Sequence, residues 1–381
     1  MNAILKKRKE KMIYLDYAAN TPVREEVLSV FEKTSREYIA NPNSSHRLGL
    51  QARDRLDECT RRIQEALGVP EYEIIYTSGA SESNNLAFKG FAEKHKNKGK
   101  HIITTYLEHS SVNGAALYLQ NSGFEVEYVE LTRDGVIDLE NLKELLQNDT
   151  ILVSVCYVDS EIGLRQPIEQ IGQIISAYPN CLFHVDATQA VGKIPVSLEN
   201  VDLMTFSPHK FYGLNGCGVL VKKPSVILEP MIHGGISTTP YRSGTPVLPL
   251  VAATDEALFL AVSELDNNYK YVQKLNEKLR SELKRFENIR INSTNNSTPF
   301  ILNISLPGIK IHELLLKLEE YEIYLSSKSA CCAPNTISRP VYALTKDRKI
   351  ALSTLRISLS HLTTVDEIDM FLERFKECCR G

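Results

Sequence analysis

Six short runs of β-branched and apolar residues recur through the first two-thirds of the chain, each separated from the next by residues with helical spacing. EIIYT (73–77), HIITT (101–105), FEVEYVE (124–130), TILVSV (150–155), CLFHV (181–185) and VDLMTF (201–206) read as strands. The stretches Glu82 to His95, Asp138 to Gln147 and Glu169 to Ala177 carry good helix formers between them. A strand that rejoins its sheet after a helical crossover lies parallel to the one before, and the crossover helices cover both faces. The alternation therefore predicts an α/β protein with a mostly parallel sheet. Around Gly235 to Pro249 it breaks into the turn-rich GISTTPYRSGTPVLP. Val251 to Phe286 then reads as one long helix or a broken pair. Beyond it come NIRIN, FILNISL, a helix from His312 to Glu320, YEIYLSS, TLRISLS and a helix from Val365 to Cys378. We expect a large domain over 15–250 and a smaller α+β domain over 251–381, completed by residues 1–14.

Charge and cysteine content narrow the function. With 44 Lys+Arg against 47 Asp+Glu, the net charge of −3 removes the electrostatic case for nucleic acid. The basic N-terminal cluster leads into Asp16 with no apolar signal core, and no apolar run approaches the ~20 residues that cross a bilayer. A cytoplasmic protein with no membrane association is expected. The eight cysteines, Cys59, Cys156, Cys181, Cys217, Cys331, Cys332, Cys378 and Cys379, are too sparse for a disulfide framework in 381 residues. Two pairs are directly adjacent, and adjacent side chains do not converge on one tetrahedral metal, so thiol chemistry is expected and a metal site is not.

Several residues can carry chemistry. In VDLMTFSPHKFYG an apolar strand ends in Ser207, Pro208, His209 and Lys210, at the sheet edge where open α/β folds bind ligands. A desolvated lysine there can lose its proton and form a Schiff base with an aldehyde. FHVDATQ places Asp186 at another strand end, 24 residues before Lys210. A carboxylate so placed can keep an aromatic nitrogen protonated, as the pyridinium of pyridoxal phosphate requires. TSGASESNN puts Thr77, Ser78, Gly79, Ala80 and Ser81 between a strand and a helix, where exposed N–H groups favour a phosphate. His109, after the second of these runs in YLEHSSV, can stack on a ring or move protons. SSKSACCAP (326–334) is a small-residue polar loop suited to a nucleophilic thiol, and Arg356 in STLRISLS suits a substrate carboxylate.

Taken together, these segments resemble the class V aminotransferases of pyridoxal phosphate (PLP) fold type I, and specifically the NifS/IscS-like cysteine desulfurases. The likeness runs from YLDYAANTP (14–22) through NPNSSHRLG, TSGASESNNLA, HVDATQAVGK, SPHKFYG, RSGTP and SKSAC to LRISLSHLTT, nearly the whole chain. It implies a large domain with a mostly parallel seven-stranded sheet, and a homodimer with active sites at the subunit boundary. PLP would be held by Lys210, with Asp186 at the pyridine nitrogen, Gln189 at the ring hydroxyl and His109 stacked on the ring. Ala80, Ser81, Ser207 and His209 would hold the phosphate, and Thr245 would reach the neighbouring subunit's phosphate. Arg356, helped by loop residues such as Asn41, would bind the substrate carboxylate.

The implied activity converts L-cysteine to L-alanine. Lys210 removes the α-proton, and Cys331 takes the sulfur as a persulfide for an acceptor protein, iron–sulfur assembly being one pathway that uses such sulfur. Cys331 is preferred over Cys332 because the S-x-S-A-C pattern ends on it; Cys332, Cys378 and Cys379 are candidates for relay. The sequence departs from the family at Asp159 and Ser160, where Asn-Asn is usual and the second Asn lies near the ring hydroxyl; Ser160 is shorter and Asp159 adds charge. Two rival readings follow. One is a selenocysteine lyase or other PLP elimination that dispenses with Cys331, and the other is a sulfur carrier that keeps PLP structurally.

Overall fold

A computed structural model describes residues 12–328 and 336–380. In chain order its strands are β1 (Ile13–Tyr14), β2 (Glu73–Thr77), β3 (His101–Thr105), β4 (Glu125–Val129), β5 (Thr150–Cys156), β6 (Leu182–Asp186), β7 (Leu203–Phe206), β8 (Gly218–Lys222), β9 (Arg290–Ile291), β10 (Ile301–Ser305), β11 (Ile323–Tyr324) and β12 (Thr354–Ser358). The chain divides into two compact units. The larger holds Asn20–Asp159 and Arg165–Asp266; the smaller holds the described residues up to Ala19, Ser160–Leu164 and the chain from Asn267 onward. Where the sequence placed one division at 250, contacts put the helix Leu248–Ser263 in the larger unit and the five residues Ser160–Leu164 in the smaller.

The larger unit is built on a seven-stranded sheet of order β2-β8-β7-β6-β5-β3-β4. All pairings are parallel except those of β8, which runs antiparallel to both β2 and β7. Burial explains the sequence pattern. Every residue of the inner strand β5, TILVSVC, is buried, as expected for a strand covered on both faces, whereas the outer strands β2 and β4 mix exposed and buried positions. The sheet confirms the mostly parallel fold, and β8 is the strand that periodicity passed over. Pairing with two neighbours makes its five residues GVLVK a strand.

Two antiparallel partners put β2 back in the direction of β7. The C-terminal ends of β2, β3, β5, β6 and β7 therefore share one edge of the sheet, the edge where such folds bind ligands.

The smaller unit pairs an antiparallel sheet of order β12-β10-β9 with a parallel β1–β11 pair. Leu302, Ile304, Leu355 and Ile357 from its strands pack with Leu275, Leu279, Phe371 and Phe375 from its helices. The segment from Val251 to Phe286 is a broken pair, Leu248–Ser263 and Leu265–Leu283. At the break, Glu264 accepts from Arg24 at 2.7 Å.

Candidate active site

The larger unit gathers its candidate residues on the shared sheet edge. After β7 the chain turns through Pro208–Lys210, and Thr21 clamps that turn: its hydroxyl donates to the His209 carbonyl at 2.9 Å and accepts from the Tyr212 N–H at 2.8 Å. The NTP segment (20–22) thus holds the backbone that carries Lys210. His209 is largely buried beside Lys210 and Lys193, and desolvation followed by these two cations pushes its imidazole down to about 4. It is therefore neutral near pH 7. Ser207 is fully buried; its hydroxyl donates to the Cys217 carbonyl at 2.6 Å and so accepts from His209 Nδ1 at 2.8 Å. The single proton of Ser207 is committed within the protein.

Asp186 closes β6, where its carboxylate Oδ1 accepts from the Thr188 N–H at 3.0 Å and Oδ2 from Asn84 Nδ2 at 2.8 Å. Gln189, one turn on, accepts from the buried Lys193 at 2.8 Å. His109 caps the helix Ser110–Asn121, its Nδ1 accepting from the Ser111 N–H at 3.2 Å and lying 2.8 Å from Ser111 Oγ.

Between β2 and the helix Ala80–Asn85 runs the Ser-Gly turn. Its first helical residues, Ala80 and Ser81, belong to the turn of helix whose N–H groups have no partner within the helix. The helix continues through a π-helical stretch, Leu86–Gly90, into Phe91–His95. Glu82 ties the turn down, accepting from the Ser78 N–H at 2.7 Å and from Arg242 Nε at 3.0 Å. β8 approaches closely from beneath: a Cβ on Gly218 would lie 2.2 Å from the Gly79 carbonyl carbon and 2.5 Å from Thr77 Oγ1. Arg242 precedes Thr245 in RSGT, and Thr245 is exposed. Asn41 is also exposed, its Oδ1 turned back to accept from the Asn43 N–H at 2.9 Å.

In the smaller unit, Arg356 on β12 is 1% exposed. It donates from one terminal nitrogen to the Ser160 carbonyl and from the other to Asp16, both at 2.8 Å, while Asp16 also accepts from Ser326 Oγ at 2.8 Å. The Asn-to-Ser departure at 160 therefore leaves this contact intact, because the backbone makes it. Cys331 and Cys332 lie outside the described residues.

Pattern reading missed Asn84, Ser111, Glu108, Lys193 and Asp16. All five lie inside or beside the motifs above; Lys193 bonds Gln189 four residues away, and each of the other four has a partner remote in sequence. Glu108 is buried at the end of β3, with Oε1 accepting from Thr105 Oγ1 at 2.8 Å and the Cys156 N–H at 2.7 Å. Its Oε2 has no partner among the described residues. Desolvation lifts its pKa to about 8, with the two hydrogen bonds opposing.

The folded protein thus keeps a proton that the unfolded chain releases above about 4.3. Stability from this group is present below that pH and is lost as the pH rises through about 8. Glu108→Gln should remove the loss: melting at pH 5 and pH 8 should find the variant gaining on the native protein by several degrees at the higher pH. An equal difference at both would assign the effect to packing.

Among the described residues, no group of three or more His, Cys, Asp or Glu side chains can hold a metal, and no helix is long and apolar enough to cross a membrane. Cys59 and Cys181 are pushed up to about 12, Cys217 and Cys379 to about 11, and Cys156 and Cys378 also upward, in each case chiefly by burial. These six thiols stay protonated near pH 7 and are poor nucleophiles.

The class V aminotransferase family model matches residues 13–371. A curated relative, the cysteine desulfurase IscS of Buchnera aphidicola subsp. Acyrthosiphon pisum (strain 5A), is 40% identical over 371 residues, covering 93% of this chain and 90% of the relative. A solved NifS-like protein superposes with a TM-score of 0.90 at 36% identity, covering 97% of this chain and all of that one. SspA, solved in complex with cysteine, superposes with a TM-score of 0.79 at 30% identity, covering 92% of this chain and 99% of that one.

Proposed function

The chain belongs to the class V aminotransferase family as a PLP-dependent cysteine desulfurase, and we propose that Lys210 anchors the cofactor while Cys331 takes up the sulfur of L-cysteine. The observation that carries the assignment of roles is the arrival of Lys210, Asp186 and the Ser-Gly turn on one edge of the larger unit's sheet. The donor set fits the cofactor: a primary amine for an aldehyde, a carboxylate for a ring cation, and a helix start with an adjacent serine for a phosphate. When bound, PLP supplies an aldehyde that captures amines and a cationic ring that draws electrons from the neighbouring carbon.

The residues would divide the remaining work. Lys210 Nζ would hold the cofactor aldehyde and, when free, would take up the α-proton of L-cysteine. Asp186 Oδ2, steadied by Asn84, would keep the ring nitrogen protonated, and Gln189 would serve the ring hydroxyl. His109 would cover the ring face. Ala80 and Ser81 would offer N–H groups to the phosphate together with His209, and Thr245 would serve the neighbouring subunit of a homodimer. Arg356 binds the substrate carboxylate. The Cys331 thiolate forms a bond to the substrate sulfur as the carbon–sulfur bond breaks; the carbon gains a proton, and alanine leaves. The persulfide then passes to an acceptor protein. The shifted thiols at Cys59, Cys156, Cys181 and Cys217 favour a nucleophile elsewhere in the chain.

The test is alanine and sulfide released from L-cysteine and a reductant by the PLP-loaded protein and by Cys331→Ala. The variant should bind the cofactor normally and form neither product above about 1% of the native rate, since the sulfur has no acceptor. Undiminished alanine formation by Cys331→Ala would favour a lyase that eliminates without a protein thiol.

A further inference from the structure

We infer that a hydrogen-bond chain running Asp186–Asn84–Ser111–His109 fixes the neutral His109 imidazole with its proton on Nε2, which makes Asn84 and Ser111 positioning residues of the site. The direction of each bond follows from what its atoms can do. A carboxylate oxygen accepts, so Asn84 must turn its amide nitrogen, not its oxygen, toward Asp186 Oδ2 at 2.8 Å. The second hydrogen of that nitrogen points to Ser111 Oγ at 2.9 Å. Asn84 is fully buried, and its Oδ1 has no partner among the described residues. An amide left with a bare buried carbonyl is one whose orientation its two acceptors dictate.

Having accepted from Asn84, the Ser111 hydroxyl donates to His109 Nδ1 at 2.8 Å. The Ser111 N–H donates to the same nitrogen at 3.2 Å, as the cap of the helix Ser110–Asn121. Two donors converge on Nδ1, and an N–H there would face both of them. The neutral ring therefore carries its proton on Nε2, where Ser110 Oγ, at 3.5 Å, can accept it. In this form Nε2 has no lone pair with which to take a proton.

The chemical use of this tautomer rests on the reading above that His109 covers the cofactor ring. There it offers a hydrogen bond from Nε2 to negative charge developing on substrate or cofactor. The carboxylate assigned to the ring nitrogen and the proton position of the imidazole are then set through one shared amide. Asn84 lies in TSGASESNN and Ser111 in YLEHSSV, 27 positions apart, and neither motif alone indicates the link.

The test is heteronuclear NMR of protein labelled with ¹⁵N-histidine, with and without PLP, the His109 signal being assigned by its loss in His109→Gln. The native protein should show Nδ1 bare and Nε2 protonated in both states. Ser111→Ala, at a half-buried position that tolerates the change, and Asn84→Leu should each move the tautomer ratio toward Nδ1–H by about tenfold, the effect of one hydrogen bond. Ser111→Thr, which keeps the hydroxyl, should behave as native. A native protein with Nδ1 protonated overturns the inference, as does a folded Ser111→Ala whose tautomer is unchanged. Because the tautomer is read without turnover, failure of the desulfurase reading would register in alanine formation and leave this result standing.

Discussion

Lys210→Ala should lower alanine formation from L-cysteine by about 10⁴-fold, the upper end of what a positioned acid–base group contributes, because the same amine also anchors the cofactor. The turn that carries it is held by Thr21, which bonds the His209 carbonyl and the Tyr212 N–H, so the backbone at this position does not depend on the lysine side chain. Melting temperature should therefore stay near the native value while turnover disappears. The Ser-Gly turn and Asp186 remain, so PLP should still bind, now releasably by dialysis and without the absorbance of its lysine-bound form. Added small primary amines should restore a measurable part of the rate by moving the α-proton in place of Nζ. Native-like turnover in Lys210→Ala would remove Lys210 from the chemistry altogether.

Gly218→Ala should weaken PLP retention by about 10- to 100-fold, the expected result of forcing a methyl group into packed backbone. The added Cβ would lie 2.2 Å from the Gly79 carbonyl carbon and 2.5 Å from its oxygen. Neither atom can swing aside as a flexible side-chain end would, so the turn that offers Ala80 and Ser81 to the phosphate must shift. Gly114→Ala is the control, since a Cβ there meets nothing within 4 Å. Cofactor release followed by absorbance should separate the two variants, with Gly114→Ala indistinguishable from native protein. Equal retention in both would mean that the phosphate does not depend on the Gly79 turn.

The two variants act on different links of one chain of causes. Lys210 and Asp186 carry the chemistry, and both were legible because a functional group at the end of a strand stands out against a continuous apolar run. Gly218 carries the shape, and no local pattern marks it: its requirement comes from Gly79, far away in the sequence.

The same division runs through the molecule. Alternating apolar runs and helical stretches determined the parallel sheet, because burial on both faces demands continuous β-branched strands such as TILVSVC. Motifs at the strand ends determined where Lys210, Asp186, His109 and the Ser-Gly turn lie along the chain, and their joint likeness to one family indicated the reaction. Tertiary structure alone decided that GVLVK is a strand, since two neighbours make it one. It also decided that Ser160–Leu164 packs with the smaller unit, where the Ser160 backbone rather than its side chain holds Arg356. Likewise it decided that Glu108 is buried with a raised pKa, that Asp16 pairs with Arg356, and that Asn84 links Asp186 to Ser111. Periodicity records which face of an element is dry, a property of neighbouring residues. Desolvation, the direction of a hydrogen bond and the closeness of two backbones depend on atoms that the chain brings together only when it folds.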